Sequence, residues 1–238
     1  MNRALRLLSA SVVLLAAGAL AAAEVAAPTK LAANLAAGKK QTIITYGTSL
    51  TAGGAWVAQL AQALKVRYGE RAPVINSGRG AMWSKWGVDN LDQRVIQKSP
   101  DAVIIEFAIN DAFQAYKTSV AEAKANLENM IDRILKARPD CQIILMTMNP
   151  PINVHLERRP KIEEYYQMYR DVAAARKLHL VDHHPAWKAI LDKDAERFKK
   201  LVPDGIHSNA AGCSEVITPA IWKSVFGGEL PQPKKDAK

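Results

Sequence analysis

Cysteine is scarce in this chain. Cys141 and Cys213 are the only two in 238 residues. An exported protein can pair cysteines, but the layout of the strands argues against it here. Cys141 stands where a predicted strand begins, and Cys213 follows a loop at the strands' carboxyl ends. A strand of about six residues separates those two edges by roughly 20 Å, against a limit of about 7 Å between the Cα atoms of a bridge. Two free thiols are expected. Long apolar runs are also few. Beyond residue 23 no segment is long and apolar enough to cross a bilayer, so no transmembrane segment is expected in the mature chain. No nucleic-acid-binding motif occurs, although 32 Lys and Arg outnumber 23 Asp and Glu for a net charge of +9. The excess reads as a basic, soluble surface that favours anionic surroundings. No set of residues has metal-ligand spacing: His179, His183 and His184 cluster around Asp182, but nothing elsewhere completes them.

The one long apolar run lies at the start. Arg3 and Arg6 precede Leu7 to Ala23, which closes on Ala21-Ala22-Ala23. A positive start, a short apolar centre and small terminal residues are the features of a secretory signal. Residues 1–23 are therefore expected to be a cleaved signal peptide, and the mature protein to be periplasmic or secreted. Cleavage would remove two arginines and leave 9 − 2 = +7. Residues 24–40, rich in alanine, read as a lead-in or linker. Residues 41–228 read as one domain, and 229–238 as a polar tail.

Apolar runs alternate with helical patterns through the domain. Strands are expected at 41–46, 73–76, 102–107, 142–146 and 178–182. Helices are expected at 54–68, 90–98, 120–137, 161–176 and 209–226, the last kinked or split by Pro219. Residues 78–89 and 149–160 read as loops. Continuous apolar strands alternating with helices imply a parallel sheet covered on both faces, a three-layer α/β/α architecture. Such sheets bind ligands beyond the carboxyl ends of their strands.

Three polar groups fall on that rim. Ser49 follows the first strand in Tyr46-Gly47-Thr48-Ser49-Leu50, in a turn before a helix, where backbone N–H groups lack intrahelical partners. Gly78 follows the second strand in Asn76-Ser77-Gly78-Arg79-Gly80, and Asn110 follows the third in Ala108-Ile109-Asn110-Asp111. Near the C-terminus stands Asp204-Gly205-Ile206-His207. A hydroxyl nucleophile needs a base, and the base needs a group that fixes its tautomer. His207 and Asp204, three residues apart, can be that pair. Singly, each of these residues has a structural role open to it as a turn, cap or loop residue. Together, in this order and at strand ends, they point to acyl transfer by a serine nucleophile.

These four stretches resemble the SGNH (GDSL-type) serine hydrolase superfamily over about residues 42–211. The family's serine, glycine, asparagine and histidine fall on Ser49, Gly78, Asn110 and His207, and its Asp-x-x-His motif on Asp204 and His207. Two departures stand out. Thr48 replaces the acidic residue of Gly-Asp-Ser-Leu, and Ala108 replaces the glycine of Gly-x-Asn-Asp. The resemblance implies a flavodoxin-like five-stranded parallel sheet of order 2-1-3-4-5. It implies catalysis by Ser49, His207 and Asp204, with an oxyanion hole formed by the Ser49 and Gly78 N–H groups and the Asn110 amide. It implies no cofactor. The partner expected is a small-molecule or glycan ester, with no nucleic acid. Short acyl esters, acetyl above all, on a carbohydrate fit best, because the loops after Gly78, Asn110 and Met148 mix polar groups with isolated aromatics. Trp83 and Trp86 are the candidates for stacking on a sugar. A lipase or lysophospholipase, a thioesterase, and a non-catalytic carbohydrate-binding relative are the alternatives.

Overall fold

In the computed structural model the described residues are Thr29 to Gln232. The expected signal segment and most of the polar tail lie outside them. Five strands form one parallel sheet in the order β2-β1-β3-β4-β5: β1 Ile43–Gly47, β2 Val74–Asn76, β3 Ala102–Glu106, β4 Gln142–Thr147 and β5 His179–Asp182. The register aligns the carboxyl ends. Gly47 pairs with Glu106, and Thr147 with Asp182. The inner strands β1 and β3 are buried at every position, as a sheet covered on both faces requires.

The helices, in chain order, are α1 Lys30–Ala36, α2 Ser49–Ala52, α3 Ala55–Tyr68, α4 Ser84–Arg94, α5 Ala108–Asp111 and α6 Val120–Ala137. They continue with α7 Val154–Glu157, α8 Ile162–Arg176, α9 His184–Lys193, α10 Ala195–Leu201, α11 Ala210–Gly212 and α12 Thr218–Val225. The two best-patterned helices match their expected spans. In α6, Leu127, Met130, Ile131 and Ile134 are buried on one face, and the Ser119 hydroxyl and Glu122 carboxylate form a reciprocal cap at its start. In α8, Ile162, Tyr165, Tyr166, Tyr169, Val172 and Ala173 all face inward.

Four segments differ from expectation. Residues 24–40 are not all linker: from Thr29 the chain forms α1, whose Leu31 and Leu35 enter the core. Two leucines four apart give even a short helix one apolar edge, and the Thr29 hydroxyl caps it by accepting from Ala32 N–H. Helix α4 begins at Ser84 rather than 90. Its start has no side-chain cap of its own; the buried Asp111 carboxylate, distant in sequence, accepts from Ser84 N–H at 2.9 Å. Helices α9 and α10 are additional to those expected, and the 149–160 loop contains α7. The last helical stretch is divided as Pro219 requires, but by widening: between α11 and α12 residues Cys213–Ile217 form a π-turn. Proline lacks the N–H for the i−4 bond and its ring crowds that carbonyl, so the turn before it opens. Cys141 and Cys213 are both buried and free.

Candidate active site

Ser49 occupies the first position of α2, directly after β1. Thr48 precedes it as N-cap, its hydroxyl accepting from Leu50 N–H at 3.2 Å. The turn is held from below by Glu106, the last residue of β3. This fully buried carboxylate accepts from Thr48 N–H (2.8 Å), Thr48 Oγ1 (2.9 Å) and Thr51 Oγ1 (2.7 Å). Burial pushes its pKa up to about 7, against those three donors. Gly47 allows the approach. A Cβ there would lie 2.4 Å from both the Glu106 carbonyl oxygen and its Oε1. Thr48, the residue that departs from the Gly-Asp-Ser-Leu pattern, thus links the Ser49 turn to a carboxylate supplied by the neighbouring strand. Sequence reasoning does not single out Glu106. The signal available for it is a lone acidic residue ending an apolar strand.

His207 reaches Ser49 from the far end of the chain. Its Nε2 lies 2.8 Å from Ser49 Oγ, and its Nδ1 lies 2.6 Å from Asp204 Oδ2. The other Asp204 oxygen accepts from the backbone N–H groups of Ile206 (3.0 Å) and His207 (2.7 Å). Burial alone would raise the Asp204 pKa, but these bonds outweigh it and hold the value down at about 2. The carboxylate is therefore charged at any ordinary pH. The loop is pinned to the segment after β4. Asn149 Nδ2 donates to Ile206 O at 3.0 Å and Ile152 N–H to Gly205 O at 2.9 Å. Gly205 has φ +87°, a left-handed turn conformation that favours glycine.

Asn110 lies in α5, buried, and borders a cleft together with Ser49 and His207. Arg159 Nη2 donates to its Oδ1 at 3.2 Å, and its own Nδ2 donates to Met82 O at 2.9 Å. One amide hydrogen is spent on Met82. The amide is oriented with its second hydrogen available, because the oxygen is held by arginine. Ala108, which stands in place of a glycine, opens α5 without a positive φ, so its side chain introduces no backbone strain.

Gly78 departs from expectation. Its N–H donates to Asn76 Oδ1 at 3.0 Å, in a turn whose Asn76 Nδ2 in turn reaches Thr51 O at 3.0 Å. A Cβ on Gly78 would lie 2.7 Å from Ala52 N. Gly78 therefore lets β2's loop press against α2, and its donor is already engaged. Two residues on, Gly80 lines the cleft beside Ser49, with its ideal Cβ position 4.0 Å from Ser49 Cβ. Among the described residues its N–H has no acceptor. Gly80 lies within the motif read from sequence, but nothing in spacing alone separates it from Gly78.

Trp86 is also a correction. It lies in α4, tilted on Tyr46 at 5.9 Å between ring centres with Arg94 over its ring, and it borders no cleft at Ser49. Trp83 stacks on Tyr116 at 4.4 Å, and Tyr116 borders the cleft on the Asn110 side. Trp83 thus supports the rim from behind. The three histidines of the 179–184 cluster are dispersed in role: His179 bonds to Ser224 Oγ at 2.9 Å, His183 is buried with a pKa lowered by desolvation to about 4, and His184 Nε2 lies 3.0 Å from Glu163 Oε1. Among the described residues no group of three His, Cys, Asp or Glu is placed to hold an ion.

Ser49 and His207 stand on a ridge between two clefts. One, of about 340 Å³, is bordered by Leu50, Ala52, Gly53, Gly54, Gly80 and Ser208. The other, of about 300 Å³, is bordered by Asn110, Phe113, Tyr116, His155, Arg158 and Arg159. The sequence model of the GDSL-like lipase/acylhydrolase family matches residues 44–214, which include every group just described. The chain belongs to this family. It is an ester hydrolase of the SGNH type, and its 2-1-3-4-5 sheet is the SGNH hydrolase fold. A lipase/acylhydrolase from Enterococcus faecalis is 26% identical, with a TM-score of 0.67 over 81% of this chain and 99% of that one. An α/β hydrolase from the metagenome of Lake Arreo is 23% identical, with a TM-score of 0.68 over 79% and 96%. An acetylxylan esterase from Geobacillus stearothermophilus is 21% identical, with a TM-score of 0.68 over 82% and 98%. No curated protein matches the sequence.

Proposed function

We propose that this hydrolase is an exported serine esterase that removes short acyl groups, acetyl above all, from a carbohydrate. The observation that carries the serine mechanism is the continuous line Ser49 Oγ, His207 Nε2, His207 Nδ1, Asp204 Oδ2, at 2.8 and 2.6 Å. In this reading His207 takes the Ser49 proton as Oγ attacks the ester carbonyl. Asp204 orients the ring and stabilises the imidazolium. The carbonyl oxygen becomes an oxyanion that accepts from Ser49 N–H, Gly80 N–H and the free Asn110 amide hydrogen. Collapse breaks the C–O bond, and His207 returns the proton to the leaving alcohol. Water, deprotonated by His207, then releases the carboxylic acid and regenerates Ser49.

The short-acyl reading rests on the clefts. Neither is bordered by a run of aliphatic side chains, whereas a long acyl chain needs a continuous apolar groove. An aromatic edge at Tyr116, backed by Trp83, suits a sugar ring. The acetylxylan esterase of the same fold agrees with this reading. Export rests on the sequence of residues 1–23 and would place the enzyme among extracytoplasmic polymers, away from cytoplasmic acyl-CoA.

The test is a p-nitrophenyl ester series from acetate to decanoate beside an acetylated oligosaccharide, with Ser49→Ala as control. kcat/KM should fall with chain length, and the variant should be inactive and refuse a fluorophosphonate label while keeping its fold. A kcat/KM that climbs towards decanoate would replace the deacetylase by a lipase. Wild-type turnover in Ser49→Ala would remove the serine mechanism.

A further inference from the structure

The cleft on the Asn110 side carries a buried cation with no counter-charge among the described residues. Arg159 is 6% exposed. Its Nε donates to Ile109 O at 2.7 Å, its Nη1 to His155 O at 3.4 Å and its Nη2 to Asn110 Oδ1 at 3.2 Å. All three acceptors are neutral, and its flat face lies over the Phe113 ring at 4.8 Å. N–H groups remain unspent on both terminal nitrogens. Its neighbour Arg158 is exposed at the mouth of the same cleft, and no carboxylate pairs with either guanidinium among the described residues. Asp204, across Ser49, has both oxygens committed to His207 and its loop.

A buried guanidinium normally has a carboxylate partner, because desolvating the charge alone is costly. Here desolvation pulls the Arg159 pKa below its usual value, with Arg158 adding repulsion, yet among the described residues no acidic side chain relieves it. The charge faces a cleft that opens on the nucleophile. A site built this way is completed by an anion brought in from outside. The excess of basic residues over the chain as a whole would draw such a substrate toward the cleft.

We propose that the alcohol portion of the ester carries an anionic group, a carboxylate or a phosphate, which this cleft binds through Arg158 and Arg159. The inference rests on the esterase reading above and deepens it. The anion sits beside the ester rather than on the reacting carbonyl, so it sets substrate preference and leaves the chemical step to Ser49 and His207. Planar, forked guanidinium donors suit both oxyanions, and two natural sources follow: a uronic acid within an acidic glycan, or a phosphorylated glycerol headgroup.

The experiment compares matched pairs that differ in charge alone. One pair is a mono-O-acetylated methyl glucuronoside and the corresponding methyl glucoside. The other is acetylglycerol 3-phosphate and monoacetylglycerol. In at least one pair, kcat/KM should favour the anion by roughly tenfold or more, the scale of one charge-assisted hydrogen bond. The pair with the larger ratio identifies the source. The ratio should shrink as ionic strength rises. It should narrow in Arg158→Gln and invert in Arg158→Glu, both at an exposed position where the fold has no stake. Equal rates within both pairs at low salt would overturn the anion site and leave the esterase intact. So would a preference that survives both high salt and Arg158→Glu. Absence of Ser49-dependent hydrolysis for all four esters would instead overturn the esterase reading and this inference with it.

Discussion

Asn110→Ala tests the oxyanion assignment most directly. The side chain makes two bonds within the protein, from Nδ2 to Met82 O at 2.9 Å and from Arg159 Nη2 to Oδ1 at 3.2 Å. These fix the amide plane and leave one hydrogen for the developing oxyanion. A neutral carbonyl oxygen gains little from that hydrogen, whereas an oxyanion gains a charge-assisted bond in a site where the donor needs no reorganisation. Truncation should therefore remove about 2.7–4 kcal/mol of transition-state stabilisation, or 10²–10³-fold in kcat, with KM little changed. It also strips a partner from the Met82 carbonyl and from buried Arg159, each at about 1–3 kcal/mol of folding stability. A thermal melt should show that loss, and kinetics on p-nitrophenyl acetate should be run well below the variant's Tm. Asn110→Asp keeps the shape and an acceptor for Arg159 but replaces the donor by an anion, and it should be no better than alanine. A variant that loses only affinity would show that Asn110 binds substrate in its ground state, and one that loses less than about tenfold in kcat with KM unchanged would refute the oxyanion role.

The other expectations concern pH and packing. His207→Ala should lower kcat/KM on p-nitrophenyl acetate by roughly 10³-fold or more, because His207 Nε2 is the base within reach of Ser49 Oγ; wild-type turnover in that variant would exclude a histidine base. Glu106 has its folded pKa raised from the ordinary 4.5 to about 7, so the native state binds more protons than the unfolded chain in that window. Its contribution to stability is therefore fully present below the unfolded value and is lost as pH rises through about 7. Glu106→Gln should flatten the fall in stability between those values, by up to on the order of 1.4 kcal/mol per pH unit. Asp111, also pushed up to about 7 by burial, should keep the remainder, and unchanged urea midpoints across pH would refute the protonation. Gly47→Ala places a methyl group 2.4 Å from the Glu106 backbone oxygen, which cannot swing aside. It should cost about 3 kcal/mol or more, and denaturation close to wild type would refute that packing.

The sequence by itself determined the layers and the rim. Continuous apolar runs such as Ile43 to Tyr46 and Ala102 to Ile105 can be buried on both faces only as inner strands of a covered sheet. The 3.6-residue stripes of α6 and α8 say which face each helix turns inward. Ser49, Asn110 and the Asp204–His207 pair were legible because their motifs are local and their strand ends are fixed by topology. Tertiary structure decided what depends on neighbours distant in the chain. Whether Gly78 or Gly80 offers a free N–H turns on Asn76 and α2. Trp86 belongs to the packing around Tyr46 because α4 starts at Ser84, and α4 starts there because Asp111, 27 residues away, caps it. The carboxylate beneath Ser49 comes from β3 rather than from the serine's own motif, since parallel register sets Glu106 beside Gly47. That Arg159 is buried with no acid beside it among the described residues is invisible in a string of letters: an arginine in a polar loop reads as solvated until folding buries it. Local pattern encodes which face of an element is apolar, while donor supply, charge balance and close approach are properties of pairs brought together only by the fold.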